Sequence, residues 1–263
     1  MTQTLSPLQL AATALLVLVG AGLSLLMQIG TARPLLVAAV RTVVQLLLVG
    51  LVLKTLFANE HPALTVLVML AMLGAATYET FSRQDRRFAG ATALALAGLP
   101  IAMASIVVTG FALTTLHPQH LLAPQVAIPL FGIVLGNAMS TASITLNSFT
   151  TALVRDRAAV EAQLALGATR FAALKPLQRS AARNGMIPIV NQMAAAGVIT
   201  LPGMMTGQIL AGMAPVEAAK YQVFVLFLLA GAAALVVAAT TYAAAWRATD
   251  ARHRLRLDRL RGS

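Results

Sequence analysis

The chain has 263 residues, of which 59% are hydrophobic and only 10% charged, with a formal net charge of +11. A soluble domain carries about 25% charged residues, so the composition excludes an ordinary water-soluble globule. The absence of cysteine also excludes disulfides, thiolate metal sites and cysteine nucleophiles.

Apolar residues gather into windows of about 20, the length a helix needs to cross about 30 Å of hydrocarbon. Within them the apolar run is continuous, as in Leu15-Leu-Val-Leu-Val19, whereas barrel strands alternate at period two. The expected fold is therefore an all-α, polytopic transmembrane helical bundle forming one domain over 1–263. In chain order the spans fall at about 8–29, 35–57, 63–81, 89–115, 122–147, 186–212 and 219–246. The first seven residues lack the basic n-region of a signal peptide, so the first apolar segment is expected to stay as a span.

Span two carries Arg41 and Gln45, four apart and so on one helical face. An arginine inside a membrane is costly unless it is paired or snorkels. Glu79, at the end of span three, offers an ion-pair partner; a gate in a transport path is the functional alternative. In the outer loop after span four, His117 and His120 are a two-histidine candidate for a divalent ion, a weak signal against which a plain loop is the stronger reading. Span five holds Asn137, Ser140, Ser143 and Asn147 at three- and four-residue spacing, one polar stripe that suits either an interhelical seam or a substrate path.

The chain then turns polar and basic over about 148–185. Asp156 is placed to cap a short helix that carries Glu161 and Ala162 and has Val160, Leu164 and Leu166 as its apolar side, with Gly167 where a helix ends in the left-handed conformation. Thr169 is placed to cap a second helix through Phe171 and Leu174, interrupted by Pro176. A helix–Gly–helix elbow against the membrane face is the expected product. A basic amphipathic loop resting on lipid headgroups is the alternative.

Span six is chemically unusual. Asn191 lies one turn after Pro188, and Pro202-Gly203 is expected to break the helix, followed by Met204, Met205 and Gln208. Broken helices survive in a membrane where they are buried or line a cavity. The thioethers are soft ligands suited to Cu(I), and in spans they also serve as packing. Small-residue pairs Gly132/Gly136 and Gly203/Gly207 suggest close helix contacts. The tail over 247–263 is expected to be a basic helix lying against anionic lipid or a partner.

Sixteen of the nineteen basic residues fall in the loops after spans one, three and five and in the tail. The positive-inside rule therefore puts the N-terminus outside and the C-terminus in the cytoplasm. Topology thus accounts for the net charge, and nucleic acid is not an expected partner. No Gly-x-x-x-x-Gly-Lys-Ser/Thr occurs: only Lys54 precedes a Thr, and Leu53 stands before it. The chain itself binds no ATP through a P-loop.

Glu161, Ala162, Gly167 and Ala168 resemble the loop through which ABC-importer permeases meet their ATPase, with Gln163 in place of the third residue and without the later Ile-x-Leu-Pro. A longer set of motifs resembles the FetB-type permease family, bacterial proteins linked to iron export and related to plant aluminium-tolerance membrane proteins. These motifs are Arg41-Thr-Val-Val-Gln45, Gly136-Asn-Ala-Met-Ser140, Leu166-Gly-Ala, Ala181-Ala-Arg, Ile187-Pro-x-x-Asn191, Leu201-Pro-Gly-Met-Met-Thr-Gly-Gln208, Gly212 and Tyr221-Gln222.

The resemblance implies the permease subunit of an ABC exporter of iron or another metal in a bacterial inner membrane. ATP and Mg would sit on a separate ATPase, and two permeases would work with two ATPases. It also implies coupling through Glu161, Ala162, Leu164, Gly167 and Phe171. A substrate path would involve Arg41, Gln45, Glu79, Asn137, Ser140, Asn191, Pro202, Met204, Met205 and Gln208. The alternative class is an ATP-independent secondary transporter or channel, which would use intramembrane carboxylates, and Glu79 is the candidate. An intramembrane enzyme lacks its motifs, since neither His-Glu-x-x-His nor Gly-x-Ser-x-Gly occurs.

Overall fold

The computed structural model describes residues 6–58, 61–90, 92–116, 122–250 and 252–262. His117 and His120 lie outside them. The chain divides into two compact units, residues 1–60 and 61–263.

The first unit is a helical hairpin. Helix α1 (Pro7–Leu26) starts at a capping box, in which Ser6 Oγ accepts from the Gln9 amide and Gln9 Oε1 accepts from the Ser6 amide. Gln28 and Gly30 take positive φ in the turn. A hydroxyl pair, Ser24 and Thr31 at 2.8 Å, ties the turn before α2 (Ala32–Ala58). Among the described residues of α2, Ala32 and Leu56 alone are buried. Leucines and valines pointing outward along both helices suit hydrocarbon, where apolar exposure has no hydrophobic cost.

The second unit contains α3 (Pro62–Ser82), strand β1 (Arg86–Phe88), α4 (Thr92–Leu116), α5 (Pro124–Arg155), α6 (Arg157–Ala165), α7 (Arg170–Ala195), α8 (Gly203–Leu210) and α9 (Pro215–Ala248), then strand β2 (Leu260–Gly262). Helices α5 and α9 have 32 and 34 residues, about 50 Å each at 1.5 Å per residue. Both outrun the hydrocarbon core of about 30 Å, and their protruding ends carry the structure described below. They pack on each other, and each also packs on α4 and α7; α3 packs on α4 and α5. Phe131, Ala138, Ile101, Ala104 and Val236 form the middle of the core. A second cluster joins Val134, Ile189, Leu229 and Ala233.

Six helices among the described residues are long and apolar enough to cross a membrane: α1 to α5 and α9. Helix α7 is not among them, because Arg170, Lys175, Arg179, Arg183, Asn184, Asn191 and Gln192 dilute its apolar content.

Several local expectations are corrected. Pro176 does not interrupt the second helix of the elbow; α7 runs unbroken through Pro176 and Pro188. Its end comes at Ala195, before Pro202, in a turn where Gly197 takes φ +82° and its amide donates to Thr200 O at 2.9 Å. Pro202 instead stands at the N-cap of α8. The tail is not a helix: β2 pairs antiparallel with β1, Arg87 opposite Arg261.

Close helix approach occurs at other glycines than the expected pairs. A Cβ on Gly136, Gly203 or Gly207 would meet nothing, and one on Gly132 would meet only the flexible end of Met72. By contrast, a Cβ on Gly98 would lie 2.6 Å from Thr77 Cγ2, where α3 crosses α4. One on Gly185 would overlap Thr145 Oγ1 and come within 3.1 Å of Val237 Cγ2, where α7 crosses both α5 and α9.

Candidate functional site: the α6–Gly167–α7 elbow

Helix α6 ends in a complete Schellman turn. The Ala168 amide donates to Gln163 O at 3.0 Å, the Gly167 amide to Leu164 O at 3.1 Å, and Gly167 takes φ +87°. A residue with a Cβ is strained at that φ. Thr169 then caps α7, its Oγ1 accepting from the Ala172 amide at 3.3 Å. Asp156 stands at the N-cap of α6 but does not use its side chain there. Its carboxylate takes a two-pronged contact from Arg155, at 2.8 and 2.9 Å, which holds its pKa below the usual carboxylate range. An adjacent guanidinium outcompetes the backbone amide for the same oxygens.

The elbow has two faces. Inward, Val160 is buried and Leu164, Ala168 and Phe171 pack on a cluster that includes Phe88, Phe149, Leu153, Leu174, Ala245 and Ala248. Outward stand Glu161, Ala162, Gln163 and also Leu166, which is 87% exposed and not on the apolar side with Val160 and Leu164, because α6 ends at Ala165 and Leu166 is its C-cap. Glu161 accepts from Arg157 one turn earlier at 2.8 Å.

The tail clasps this assembly. Arg247 Nε donates to Thr92 Oγ1 and its Nη2 to Ala89 O, both at 3.0 Å. Arg259 Nη1 donates to Arg247 O at 3.0 Å, and the Ala89 amide to Arg259 O at 2.6 Å. Leu255, Leu257 and Leu260 pack on the same cluster as the elbow. His253 Nδ1 accepts from the Arg170 amide at 3.2 Å, which satisfies a donor that the first turn of α7 leaves open. The Asp250 carboxylate accepts from the Arg252 and Arg254 amides at 2.9 and 2.8 Å. Those amides, that of Arg254 foremost, hold its pKa below the usual range.

The polar residues expected along a path are placed as follows. Asn137 Nδ2 donates to Leu229 O at 3.0 Å, joining α5 to α9. Ser140 is exposed, Ser143 donates to Met139 O of its own helix, and Asn147 holds the turn after α3 through the Asp85 amide and Arg83 O. Glu79 accepts from Arg83 at 2.8 Å. Met204 packs on the cluster that contains Leu229, Met205 is half-buried and Asn191 is exposed. The Oε1 of Gln208 is buried with no hydrogen-bond partner among the described residues. Arg41 and Gln45 lie one turn apart on α2 in the first unit, both exposed. Among the described residues no three His, Cys, Asp or Glu converge as metal ligands.

Sequence reasoning missed Gly185, Tyr242, His253 and the bond from Asn184 Nδ2 to Ser148 Oγ, 2.8 Å, between α7 and α5. The i, i+4 spacing of Lys175, Arg179 and Arg183 was legible, but charge counting for topology hides it.

Residues 7–248 match the model of the uncharacterised protein family UPF0014. The chain belongs to the UPF0014 family. Relatives include a UPF0014 membrane protein of Synechocystis, 35% identical over 81% of this chain and 82% of that one. The "Probable iron export permease protein FetB" of Escherichia coli is 30% identical over 84% and 83%. The "Protein ALUMINUM SENSITIVE 3" of Arabidopsis thaliana is 32% identical over 77% and 72%. No solved structure matches the chain. As a UPF0014 member with six apolar helices, it is a multi-pass membrane protein.

Proposed function

We propose that this UPF0014 protein is the permease subunit of an ABC transporter, an exporter of iron or another metal powered by a separate ATPase that carries ATP and Mg. The observation that carries this reading is the elbow: a rigid Schellman turn with an outward Glu161-Ala162 face and exposed Leu166, seated on the core through Val160, Leu164 and Phe171. Such an element can be pushed as a unit by a partner and passes the movement into α5, α7 and α9. The printed name of the Escherichia coli relative supports the export and iron parts.

Helix α7 supports a homodimer of the permease within one domain over 1–263. Its outward face runs through Asn184, Ile187, Pro188 and Asn191, all exposed. Amide side chains, and the carbonyl that Pro188 leaves without its helical donor, do not face lipid at low cost; a second copy or a water-filled path suits them. With α7 and the α8 break as the crossing that supplements the six apolar helices, seven spans put the N-terminus outside and the basic tail in the cytoplasm of a bacterial inner membrane. Arg41, Gln45, Glu79, Asn137, Ser140, Asn191, Pro202, Met204, Met205 and Gln208 remain the path candidates. No thiolate is available and few acids lie in the spans, so bare ferrous ion has no tight oxygen or nitrogen cage.

The test is co-purification with an ABC ATPase, then reconstitution in liposomes with ATP. Stimulated hydrolysis and iron movement that is stronger with a chelator than for the bare ion are expected. No complex with any such ATPase, or transport that needs no ATP, overturns the proposal.

A further inference from the structure

Beside the elbow lies an open groove of about 640 Å³, lined by Gln163 of α6 and by Lys175, Arg179, Ser180, Arg183 and Asn184 of α7. Lys175, Arg179 and Arg183 recur every four residues and so stand on one face of the helix. Like charges at that spacing repel. Five cations outside the groove hold an acid: Arg83, Arg155, Arg157, Lys220 and Arg256. In the groove none does. None of the three cations has a hydrogen bond or ion pair among the described residues, and no acid lines the cavity. Topology does not require this arrangement, because the positive-inside rule counts charges without placing them on one uncompensated face.

We propose that this groove is a vestibule for oxyanions, the place where a carboxylate- or phosphate-bearing cargo is first held on the cytoplasmic side. Two guanidinium forks match carboxylate or phosphate oxygens, Lys175 adds a mobile point charge, and Ser180, Asn184 and Gln163 supply neutral donors. A bound anion removes the mutual repulsion of the three cations; a bare divalent cation increases it. Arg183 and Asn184 at the end of the groove stand one turn before the exposed Ile187 and Pro188 on the same helix, and Asn191 follows a turn later. The inference rests on the reading of the chain as a permease and narrows it: a metal leaving through this protein does so inside an anionic complex.

The absence of cysteine makes the test direct. Full-length protein carrying Ser180→Cys is placed in phosphatidylcholine nanodiscs. It is labelled with a sulfonate-bearing and a trimethylammonium-bearing thiosulfonate, with Ala158→Cys on exposed α6 as reference. The anionic reagent is expected to be favoured about tenfold relative to the reference, less so at high salt. That preference should collapse when Arg179→Gln and Arg183→Gln are added, or fall in part with Lys175→Gln alone if the double change prevents insertion. Citrate, ferric citrate or inorganic phosphate should slow labelling. Equal reactivity with the two reagents overturns the proposal, as does the absence of protection by any of these anions. Protection given only by added phosphatidylglycerol assigns the groove to lipid headgroups, and protection given only by the partner ATPase makes it a docking patch; either result overturns it too. Because the labelling ratio needs no ATP hydrolysis, a retained ratio with no coupling to an ATPase would sink the permease reading alone.

Discussion

The ring of Phe171 lies against that of Tyr242, centroids 4.9 Å apart and planes within 10° of parallel. Planes in contact stand about 3.5–4 Å apart, so the rings are slipped, the arrangement that aromatic quadrupoles favour. Arg170 covers Phe171 with its guanidinium 5.1 Å from the ring centre. The stack joins the first turn of α7 to the C-terminal part of α9.

Phe171→Ala removes the stack, an effect worth about 0.5–1.5 kcal/mol beyond lost area, while α7 remains capped by Thr169. Insertion is expected to persist and ATP hydrolysis stimulated by the permease to fall, with Phe171→Leu intermediate. Equal stimulation by all three proteins would remove Phe171 from coupling.

Gly167→Val places a β-branched residue at φ +87°, a conformation that costs an L-residue about 1–2 kcal/mol. Glu161→Lys sets two cations one turn apart with Arg157 and reverses the charge on the outward face. Both variants are expected to insert and to lose ATPase binding in pull-down, whereas Gly167→Asn retains it. Unchanged binding by Val and Lys variants would refute the elbow as the contact.

Gly185→Ala forces a methyl group into Thr145 and Val237, and overpacking of this kind costs about 1–3 kcal/mol. Gly136→Ala, where a Cβ meets nothing, should be neutral or stabilising, since alanine favours a helix by about 0.5–1 kcal/mol over glycine. Thermal unfolding in detergent should separate the two.

The pKa of the Asp250 carboxylate is held below its unfolded value, so its contribution to tail docking is fully present above the ordinary carboxylate range and is lost as pH falls below that range through the depressed folded value. Asp250→Ala should therefore expose the tail to trypsin at neutral pH several-fold faster than wild type, and Asp250→Asn, which keeps an acceptor oxygen, less so. His253→Ala should add to the effect by freeing the Arg170 amide. Identical cleavage rates would show that the backbone bonds of β1 and β2 alone hold the tail.

Single cysteines at Asn191, Pro202, Met204, Met205 and Gln208 test the path. Position 191 is exposed and should react with water-soluble thiol reagents; position 204, packed on the cluster that contains Leu229, should react slowly. Silence at every position in every nucleotide state would reduce α7 and α8 to packing.

By itself the sequence determined the membrane class, the apolar helices and the elbow. Each is written in short range: about twenty apolar residues make a span, and the Thr169 cap and Gly167 turn involve partners within five residues. Only the tertiary structure decided what the tail does, because the partners of β2 and Arg247 lie more than 150 residues away; basic composition points to lipid, while three leucines and a strand pairing draw the tail onto the core. Gly185 belongs to the same class, since its need for a hydrogen comes from Thr145 and Val237 on two other helices. The continuity of α7 does too: proline costs a helix one hydrogen bond and a clash, and packing of Leu174, Leu177, Ala181 and Ile189 against α5 and α9 outweighs that at both Pro176 and Pro188.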